Sequence, residues 1–307
     1  MVCCHNMWLL FAFSGPLAWA ASMHIDKFLL EKYFKRGSVA VSMVFTAIIG
    51  LLLLPFILIF VPGVFAFDRL SIVVMIASGL LYMGGMLFYL YALQTEEASI
   101  VGLLSPAGPV LAFVLAFFVL GERLAPGQLV GGVMVVAGVF IASFRFGGGK
   151  IKFRKRATMM MTAAIVCFAA SSLIFKYFAV PELFWPATFW TYVGEALFGV
   201  GILAFASERR IFMKLIKTNP KVMLTTNAVN ELVNLGGSLA ARYALVLAPL
   251  ALVQAVTSTT PLMVFILGTI ITMFLPKLGR ENISKTILIQ KSAAAILVVI
   301  GAILAGG

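Results

Sequence analysis

Met83-Gly84-Gly85-Met86-Leu87 recurs in the second half of the chain as Leu235-Gly236-Gly237-Ser238-Leu239, at an offset of 152 residues. The same offset carries Tyr91-Ala92-Leu93 onto Tyr243-Ala244-Leu245. A constant offset that extends beyond one short segment indicates an internal repeat. The glycine pair in each copy favours close approach between helix backbones.

Further matches extend the repeat over most of the chain. The pairs are Pro109 with Pro261 and Phe113 with Phe265 at the same offset, Trp19–Ser22 with Phe168–Ser171 at offset 149, and Val135–Gly138 with Val298–Gly301 at offset 163. We therefore divide the chain into a first five-helix repeat (1–146), a basic cytoplasmic linker (147–156) and a second five-helix repeat (157–307).

The composition places this chain in lipid. Hydrophobic residues make up 62% of it, charged residues 11%, and the mean hydropathy is +1.09. Ordinary soluble chains are about half apolar and about a quarter charged. This excludes a soluble enzyme, a secreted disulfide scaffold and a disordered protein. The three cysteines and the two histidines, His5 and His24, have no metal-ligand spacing, so we expect no metal and no cofactor.

Apolar runs of roughly the length that crosses a bilayer, about 20 residues, occur ten times in the sequence. They are Met7–Leu30, Ser38–Val61, Leu70–Leu93, Ala98–Leu120, Gly127–Phe144, Ala157–Val180, Phe184–Ala206, Val222–Leu247, Leu250–Leu275 and Ile287–Leu304. Five spans are an odd number, so the second repeat enters the membrane from the opposite face. The predicted fold is an all-α integral membrane protein with ten transmembrane helices in two inverted-topology repeats.

The basic residues predict the orientation. The net charge is +12, and 19 of the 23 Lys and Arg residues fall in loops and helix ends on one side of this topology. By the positive-inside rule that side is cytoplasmic, which places both termini outside. The basic run Lys150–Arg156 is then a topogenic loop facing anionic lipid, and we expect no nucleic-acid partner.

One predicted span carries a polar stripe. Spacings of three and four residues place a set of polar side chains on one face of the eighth span: Asn227, Asn230, Glu231, Asn234, Ser238 and Arg242. Such a stripe is too costly in lipid, so it faces a cavity or another helix. Arg242 is expected to be an anchor at the outer membrane surface, because eleven residues along the helix, about 16 Å, separate it from Glu231.

Glu195 and Glu231 are the two acids near the centre of a span, and charged groups at that depth are functional candidates. We predict that Glu231, together with Glu195, carries protons or binds a cationic or zwitterionic substrate. The alternative is that these acids and the asparagines are hydrogen-bonded contacts between helices.

Other side chains extend the candidate site. Tyr82, Trp19 and His24 are candidates for an aromatic substrate pocket, or else they pack and anchor the helices at the interface. Asp26, Lys27 and Glu31 form a cluster at the inner end of the first span that serves either as a gate or as a structural and topogenic feature.

Two prolines at equivalent places in the repeats complete the set of candidates. Pro109 and Pro261 are predicted to bend their helices around the central cavity.

Each half resembles the EamA unit of the drug/metabolite transporter superfamily. The resemblance lies in Ile25–Leu30, in Ala98–Val101 leading to Pro109, in Leu120–Leu124, and in Gln128 with Gly131. The second half departs from the pattern at Leu275–Glu281, where the turn is longer. The resemblance supports the fold and says little about the substrate. Many members keep both termini inside, whereas the charges of this chain place them outside.

We therefore expect a secondary transporter that works by alternating access and moves a small organic metabolite or drug, as an exporter coupled to protons. The alternatives are a flippase for a lipid-linked sugar or amine and, more remotely, an integral-membrane enzyme. The expected partners are a small-molecule substrate and the lipid bilayer. We expect a monomer or weak homodimer in a bacterial-type plasma membrane.

Overall fold

A computed structural model describes residues 7–32, 39–95, 104, 107–143, 155–218, 220–274 and 285–306. The described residues are nearly all helical and contain no strand, which confirms the all-α prediction. The helices are α1 (Met7–Lys32), α2 (Val39–Phe60), α3 (Arg69–Thr95), α4 (Ala107–Leu115, continued by a π-helical turn Ala116–Leu120), α5 (Pro126–Ser143), α6 (Lys155–Phe178), α7 (Phe184–Ala204), α8 (Ala206–Thr218), α9 (Pro220–Leu247), α10 (Leu250–Thr257), α11 (Thr260–Phe274) and α12 (Lys285–Gly306).

Eight helical segments in the described part of the chain are long and apolar enough to cross a membrane. They contain α1, α2, α3, α5, α6, α7, the α10–α11 pair and α12. Of the two other predicted spans, the fourth contains the shorter apolar helix Ala107–Leu120, and its first residues lie outside the described ones. The eighth is α9, which is 28 residues long and carries the polar stripe.

The start of α3 shows how one membrane-surface helix end is capped. The Asp68 carboxylate accepts hydrogen bonds from the Ser71 hydroxyl and from the amides of Leu70 and Ser71, the latter two at 3.0 and 3.2 Å. These bonds satisfy amides that have no partner within the helix. They also hold the pKa of the exposed Asp68 carboxyl below its ordinary value.

Helix α8 was not predicted, because its residues were assigned to a basic loop. Its outward face carries Arg209, Arg210, Lys214 and Lys217. On its other face Phe212 is buried, with its ring centroid 5.2 Å from that of Phe45 in α2. This amphipathic pattern is typical of a helix lying in the membrane interface.

The helices pair across the two halves of the chain. The most extensive contacts join α5 to α12, α3 to α6, α9 to α1, and α2 to α7. At the α5–α12 contact, a Cβ placed on Gly131 would lie 2.5 Å from the carbonyl oxygen of Gly301. Glycine is therefore needed there, as is usual where membrane helices approach closely.

Candidate functional site

A narrow cavity lies in the middle of the molecule, between α2, α3, α7 and α9. Its lining residues are Thr46, Ile49, Gly50, Tyr82, Tyr192, Glu195, Glu231, Asn234, Leu235 and Ser238. The cavity volume open to water is about 10 Å³. That is about enough for one water molecule. A solute larger than water does not fit this cavity with the helices as they are placed here.

The cavity contains both acids predicted from the sequence. Glu195 projects from α7 and Glu231 from α9, with 2% and 7% of their surfaces exposed. The two acids are 36 residues apart in the sequence, and the fold brings them to one cavity.

The negative charge of Glu195 is balanced by Arg242. Nη2 of Arg242 donates to the Glu195 carboxylate in a buried ion pair. The expectation that Arg242 is an anchor at the membrane surface is therefore wrong. The error came from considering partners along α9 alone, whereas the partner lies on α7. Aromatic rings surround the guanidinium, with centroids 4.6 Å away for Tyr192 and 5.6 Å for both Tyr82 and Phe175. These contacts add cation–π attraction to the ion pair.

The negative charge of Glu231 is not balanced by a cation among the described side chains. Its Oε2 accepts a hydrogen bond of 3.3 Å from the Asn234 amide, one turn along α9. Among the side chains that the structure describes, no Lys or Arg forms an ion pair with Glu231. Of the two cavity acids, Glu231 is therefore the one without an ion-pair partner among the described side chains.

Asp26 lies nearer to this site than the sequence indicated. Its Oδ1 accepts a hydrogen bond of 2.7 Å from Nδ2 of Asn230, so α1 and α9 are joined by polar groups next to Glu231. Asn230 and Asn227 are buried, as the predicted stripe requires. Lys27 and Glu31, the other members of the predicted end cluster, have side chains outside the described ones.

The predicted aromatic residues occupy different places. Tyr82 lines the cavity, and its ring centroid lies 5.7 Å from that of Phe168. Trp19 donates through Nε1 to the Ser238 hydroxyl at 3.3 Å and so supports the cavity wall. His24 lies elsewhere: its Nε2 is 3.1 Å from the carbonyl oxygen of Val264 in α11, and it does not border the cavity.

Two polar residues of the cavity lining were not found from the sequence. Thr46 and Tyr192 both line the cavity. Tyr192 precedes Glu195 by three residues, a spacing that places both side chains on one face of a helix. That signal was available for Tyr192, whereas nothing in the local sequence distinguishes Thr46 from other threonines.

The two equivalent prolines lie at helix starts. Pro109 is the third residue of α4 and Pro261 the second residue of α11. Pro261 follows an interruption at Ser258 and Thr259, where the span Leu250–Phe274 is divided into α10 and α11. Proline is compatible with the first turn of a helix because its missing N–H has no helical partner there.

The turn between α9 and α10 is fastened by two charged side chains. Nζ of Lys176 donates to the carbonyl oxygens of Leu245 at 2.5 Å and Ala248 at 2.9 Å. The Glu122 carboxylate accepts from the Leu250 amide at 2.9 Å. A cation thus caps the end of α9 and an anion caps the start of α10, which is the favourable arrangement for both helix dipoles. A second cavity, with about 470 Å³ open to water, lies against this turn.

The described residues contain no group of three His, Cys, Asp or Glu side chains placed to hold a metal ion. The site consists of carboxylates, amides, one guanidinium and aromatic rings. The apolar helices around this set identify a multi-pass integral membrane protein with a charged cavity among its helices.

Comparison with known proteins identifies the family. The model of the EamA-like transporter family matches residues 6–144. The chain belongs to this family of transporters, which is part of the drug/metabolite transporter superfamily.

Two further similarities complete the comparison. An uncharacterized protein of Methanocaldococcus jannaschii is 32% identical over 96 residues, which cover 31% of this chain and 70% of that protein. A crystal structure of another protein superposes with a TM-score of 0.62, at 17% identity over 98% of both chains, which shows a shared fold.

Proposed function

We propose that this protein is a ten-span secondary transporter that exports a small organic metabolite or drug in exchange for protons. The observation that carries the proposal is the central cavity with Glu231, an acid without an ion-pair partner among the described side chains, in a protein of a transporter family. Buried carboxyl groups of this kind mark ion and substrate paths in membrane proteins.

The inverted repeat is supported by contacts that occur in equivalent pairs. A Cβ on Gly85 would lie 3.0 Å from the Phe168 ring and 3.1 Å from Cys167. A Cβ on Gly237 would lie 2.7 Å from Ala18 and 3.4 Å from the Trp19 ring. The sequence offsets of 152 and 149 map the first set of residues onto the second. The α3–α6 contact and the α9–α1 contact are therefore equivalent.

The contact between α5 and α12 also follows the repeat, because the repeat offset maps its residues onto one another. A Cβ on Gly131 would meet Gly301, and a Cβ on Gly138 would lie 3.0 Å from the carbonyl oxygen of Ala294. The offset of 163 carries Gly131 onto Ala294 and Gly138 onto Gly301, so the contact is self-equivalent. A two-fold relation between the halves favours alternating access about a central site.

The symmetry is broken at the cavity itself. Gly79 of α3 packs so closely on α7 that an added Cβ would collide with the Thr191 carbonyl oxygen. Its equivalent at offset 152 is Glu231, which instead faces the cavity. Contacts between α9 and α2 are correspondingly less extensive than those between α3 and α7.

The two cavity acids have different roles in this proposal. Arg242 holds Glu195 in a fixed ion pair, so Glu195 positions the cavity wall and Arg242. Glu231 gives up its proton when solute binds and regains it when solute leaves, which couples proton entry to solute export. Asn234 orients its carboxylate through the 3.3 Å hydrogen bond.

The test is transport by the purified, reconstituted protein. Proteoliposomes are loaded with a cell metabolite extract, an inward proton gradient is imposed, and solutes appearing outside are identified by mass spectrometry. We expect gradient-driven release of a defined solute, its loss in Glu231→Gln, and its retention in Glu182→Gln, whose side chain is exposed at the membrane surface. Normal coupling in Glu231→Gln would overturn the assignment of the proton site.

The orientation is proposed from the charges. We place the basic loops in the cytoplasm, both termini outside, and the protein, as a monomer or weak homodimer, in a bacterial-type plasma membrane. In a variant whose Cys3, Cys4 and Cys167 are replaced by serine, a cysteine introduced at the C-terminus is then labelled in intact cells by a membrane-impermeant maleimide. Labelling after permeabilisation alone would reverse the orientation.

A further inference from the structure

Helix α8 is a part of this molecule that the inverted repeat does not explain. It connects α7 to α9, the predicted second and third spans of the second repeat. The equivalent connection in the first repeat, residues 61–68 between α2 and α3, contains no helix and no basic residue. α8 has 13 residues, of which four are basic and one is acidic. The helix is therefore an addition to the repeated scaffold, which indicates a role of its own.

Short connections hold α8 at the membrane surface. α7 ends at Ala204 and α8 begins at Ala206, whereas α8 ends at Thr218 and α9 begins at Pro220. At Phe205 the backbone leaves the helical conformation, with φ −74° and ψ 119°, so the chain changes direction. A single residue spans at most about 3.6 Å. α8 is therefore confined to the level at which α7 and α9 leave the bilayer.

The inner face of α8 packs on the protein. Phe212 belongs to a buried apolar cluster that includes Leu29 of α1, Phe45 of α2 and Ile202 of α7. Three more apolar residues of α8 pack against the same cluster: Ile211, Leu215 and Ile216. This packing joins α8 to the ends of helices from both repeats.

The outer face of α8 presents basic side chains. They are exposed, and among the described side chains no acid forms an ion pair with them: Arg209, Arg210, Lys214 and Lys217. Arg210, Lys214 and Lys217 follow one another at spacings of four and three residues, which places them on one side of the helix. Lys221, in the first turn of α9, is exposed as well. Such a patch of positive charge attracts anions.

Apolar side chains among these charges indicate what the patch contacts. Met213 lies four residues from both Arg209 and Lys217, and 47% of it is exposed. Phe205, at the junction with α7, is 69% exposed. At the boundary between headgroups and acyl chains, apolar groups leave water while neighbouring basic groups reach the phosphates. Clusters of four or more basic residues on an amphipathic helix are typical of anionic-lipid binding.

We propose that the outer face of α8 binds the anionic phospholipid headgroups of the leaflet beside it, through Arg209, Arg210, Lys214 and Lys217. Their guanidinium and ammonium groups donate charge-assisted hydrogen bonds to the lipid phosphates. Bound lipid restrains α8 and, through Phe212, stabilises the helix ends on which α8 packs. This binding is independent of which solute the protein transports.

The experiment compares two lipids that differ in headgroup charge. Dioleoylphosphatidylglycerol, which is anionic, is set against dioleoylphosphatidylcholine, which is zwitterionic, with the full-length protein in dodecyl maltoside. Bound lipid is counted by native mass spectrometry, and the melting temperature is measured at each lipid concentration. We expect phosphatidylglycerol to bind more tightly and to raise the melting temperature more. Salt at about 1 M is expected to remove most of this difference, because it shortens the Debye length to about 3 Å.

Paired variants assign the effect to α8. Arg210→Gln/Lys214→Gln removes two charges from the exposed face and leaves the packed face intact. Each basic residue near an anionic membrane surface strengthens binding about fivefold. We therefore expect this variant to bind phosphatidylglycerol about thirtyfold more weakly. The matched control, Arg69→Gln/Arg123→Gln, removes two exposed charges outside α8 and is expected to leave binding unchanged.

Hydrogen exchange locates the effect in the unmodified protein. Phosphatidylglycerol in place of phosphatidylcholine is expected to slow amide exchange in residues 206–218, because bound lipid suppresses local opening of α8. Helix α5 serves as the reference and is expected to exchange equally in the two lipids.

Each outcome decides the assignment. Equal binding of the two lipids, equal weakening in the two double variants, or unchanged exchange in α8 overturns the proposal. Glycerol 3-phosphate tests for a free-phosphate site and poly-L-glutamate for an acidic protein partner, and tighter binding of either one than of phosphatidylglycerol overturns the choice of lipid. A preference for phosphatidylglycerol that is lost in the α8 variant alone supports the proposal. The lipid comparison and hydrogen exchange use the unmodified protein, so their result holds even if a variant fails to fold.

Discussion

Removing the guanidinium of Arg242 tests how the centre of this molecule is held together. In Arg242→Met, Glu195, which is 2% exposed in the parent, loses its ion-pair partner. Breaking one side of a buried ion pair typically costs about 3–5 kcal/mol. The variant also loses the contacts of the guanidinium with Tyr192, Tyr82 and Phe175. We therefore expect Arg242→Met to lower the free energy of unfolding by about 3–5 kcal/mol.

A double-mutant cycle isolates the pair itself. In Arg242→Met/Glu195→Gln the buried carboxylate is also gone, so the combined cost is expected to fall short of the sum of the single costs by about 1–3 kcal/mol. The measurement is unfolding by SDS in mixed micelles, followed by tryptophan fluorescence and repeated from the unfolded side. Glu182→Gln, an exposed acid, is the control and is expected to have no effect. Costs that add to within about 0.5 kcal/mol would refute the coupling.

Three further changes test other contacts. Gly79→Ala is expected to prevent normal packing of α3 on α7, because the added Cβ meets the Thr191 carbonyl oxygen; full-length expression and a symmetric gel-filtration peak would contradict this. Phe212→Ala is expected to lower the free energy of unfolding by about 3–5 kcal/mol by leaving a cavity under α8, with Met213→Ala, an exposed neighbour, as the control. The Asp68 cap has a lowered pKa in the folded protein, so its stabilising effect is present above its unfolded pKa and is lost as the pH falls. Hydrogen exchange at the start of α3 measures this loss, and identical pH profiles for Asp68→Ala and the parent would contradict it.

The spans were predictable because lipid imposes a simple rule on sequence. A crossing helix needs about 20 apolar residues, and most of the helices of the structure begin and end within three residues of the predicted limits. The acids Glu195 and Glu231 were found for the same reason, since few charged groups occur at that depth. Their presence in one cavity follows from the packing of α7 against α2 and α3 and of α9 against α1, and could not be derived from either span alone.

Partners across helices were not predictable. Arg242 was assigned to the membrane surface because the distance along α9 excluded Glu231, and the sequence gives no distance to α7. Asp26 was grouped with its sequence neighbours Lys27 and Glu31, whereas its described contact is with Asn230 on α9. Helix α8 was not predicted because its basic residues are typical of a cytoplasmic loop and its apolar face is short.

The fastening of the α9–α10 turn by Lys176 and Glu122 has a mechanical consequence. It fixes one end of α9, so a tilt of this helix has its pivot near Leu247. At 1.5 Å per residue, Arg242 lies about 8 Å from that pivot and Glu231 about 24 Å. A tilt that displaces Glu231 by a given distance therefore moves Arg242 by about a third as much. In such a tilt the Glu195–Arg242 ion pair is displaced less than the carboxylate of Glu231.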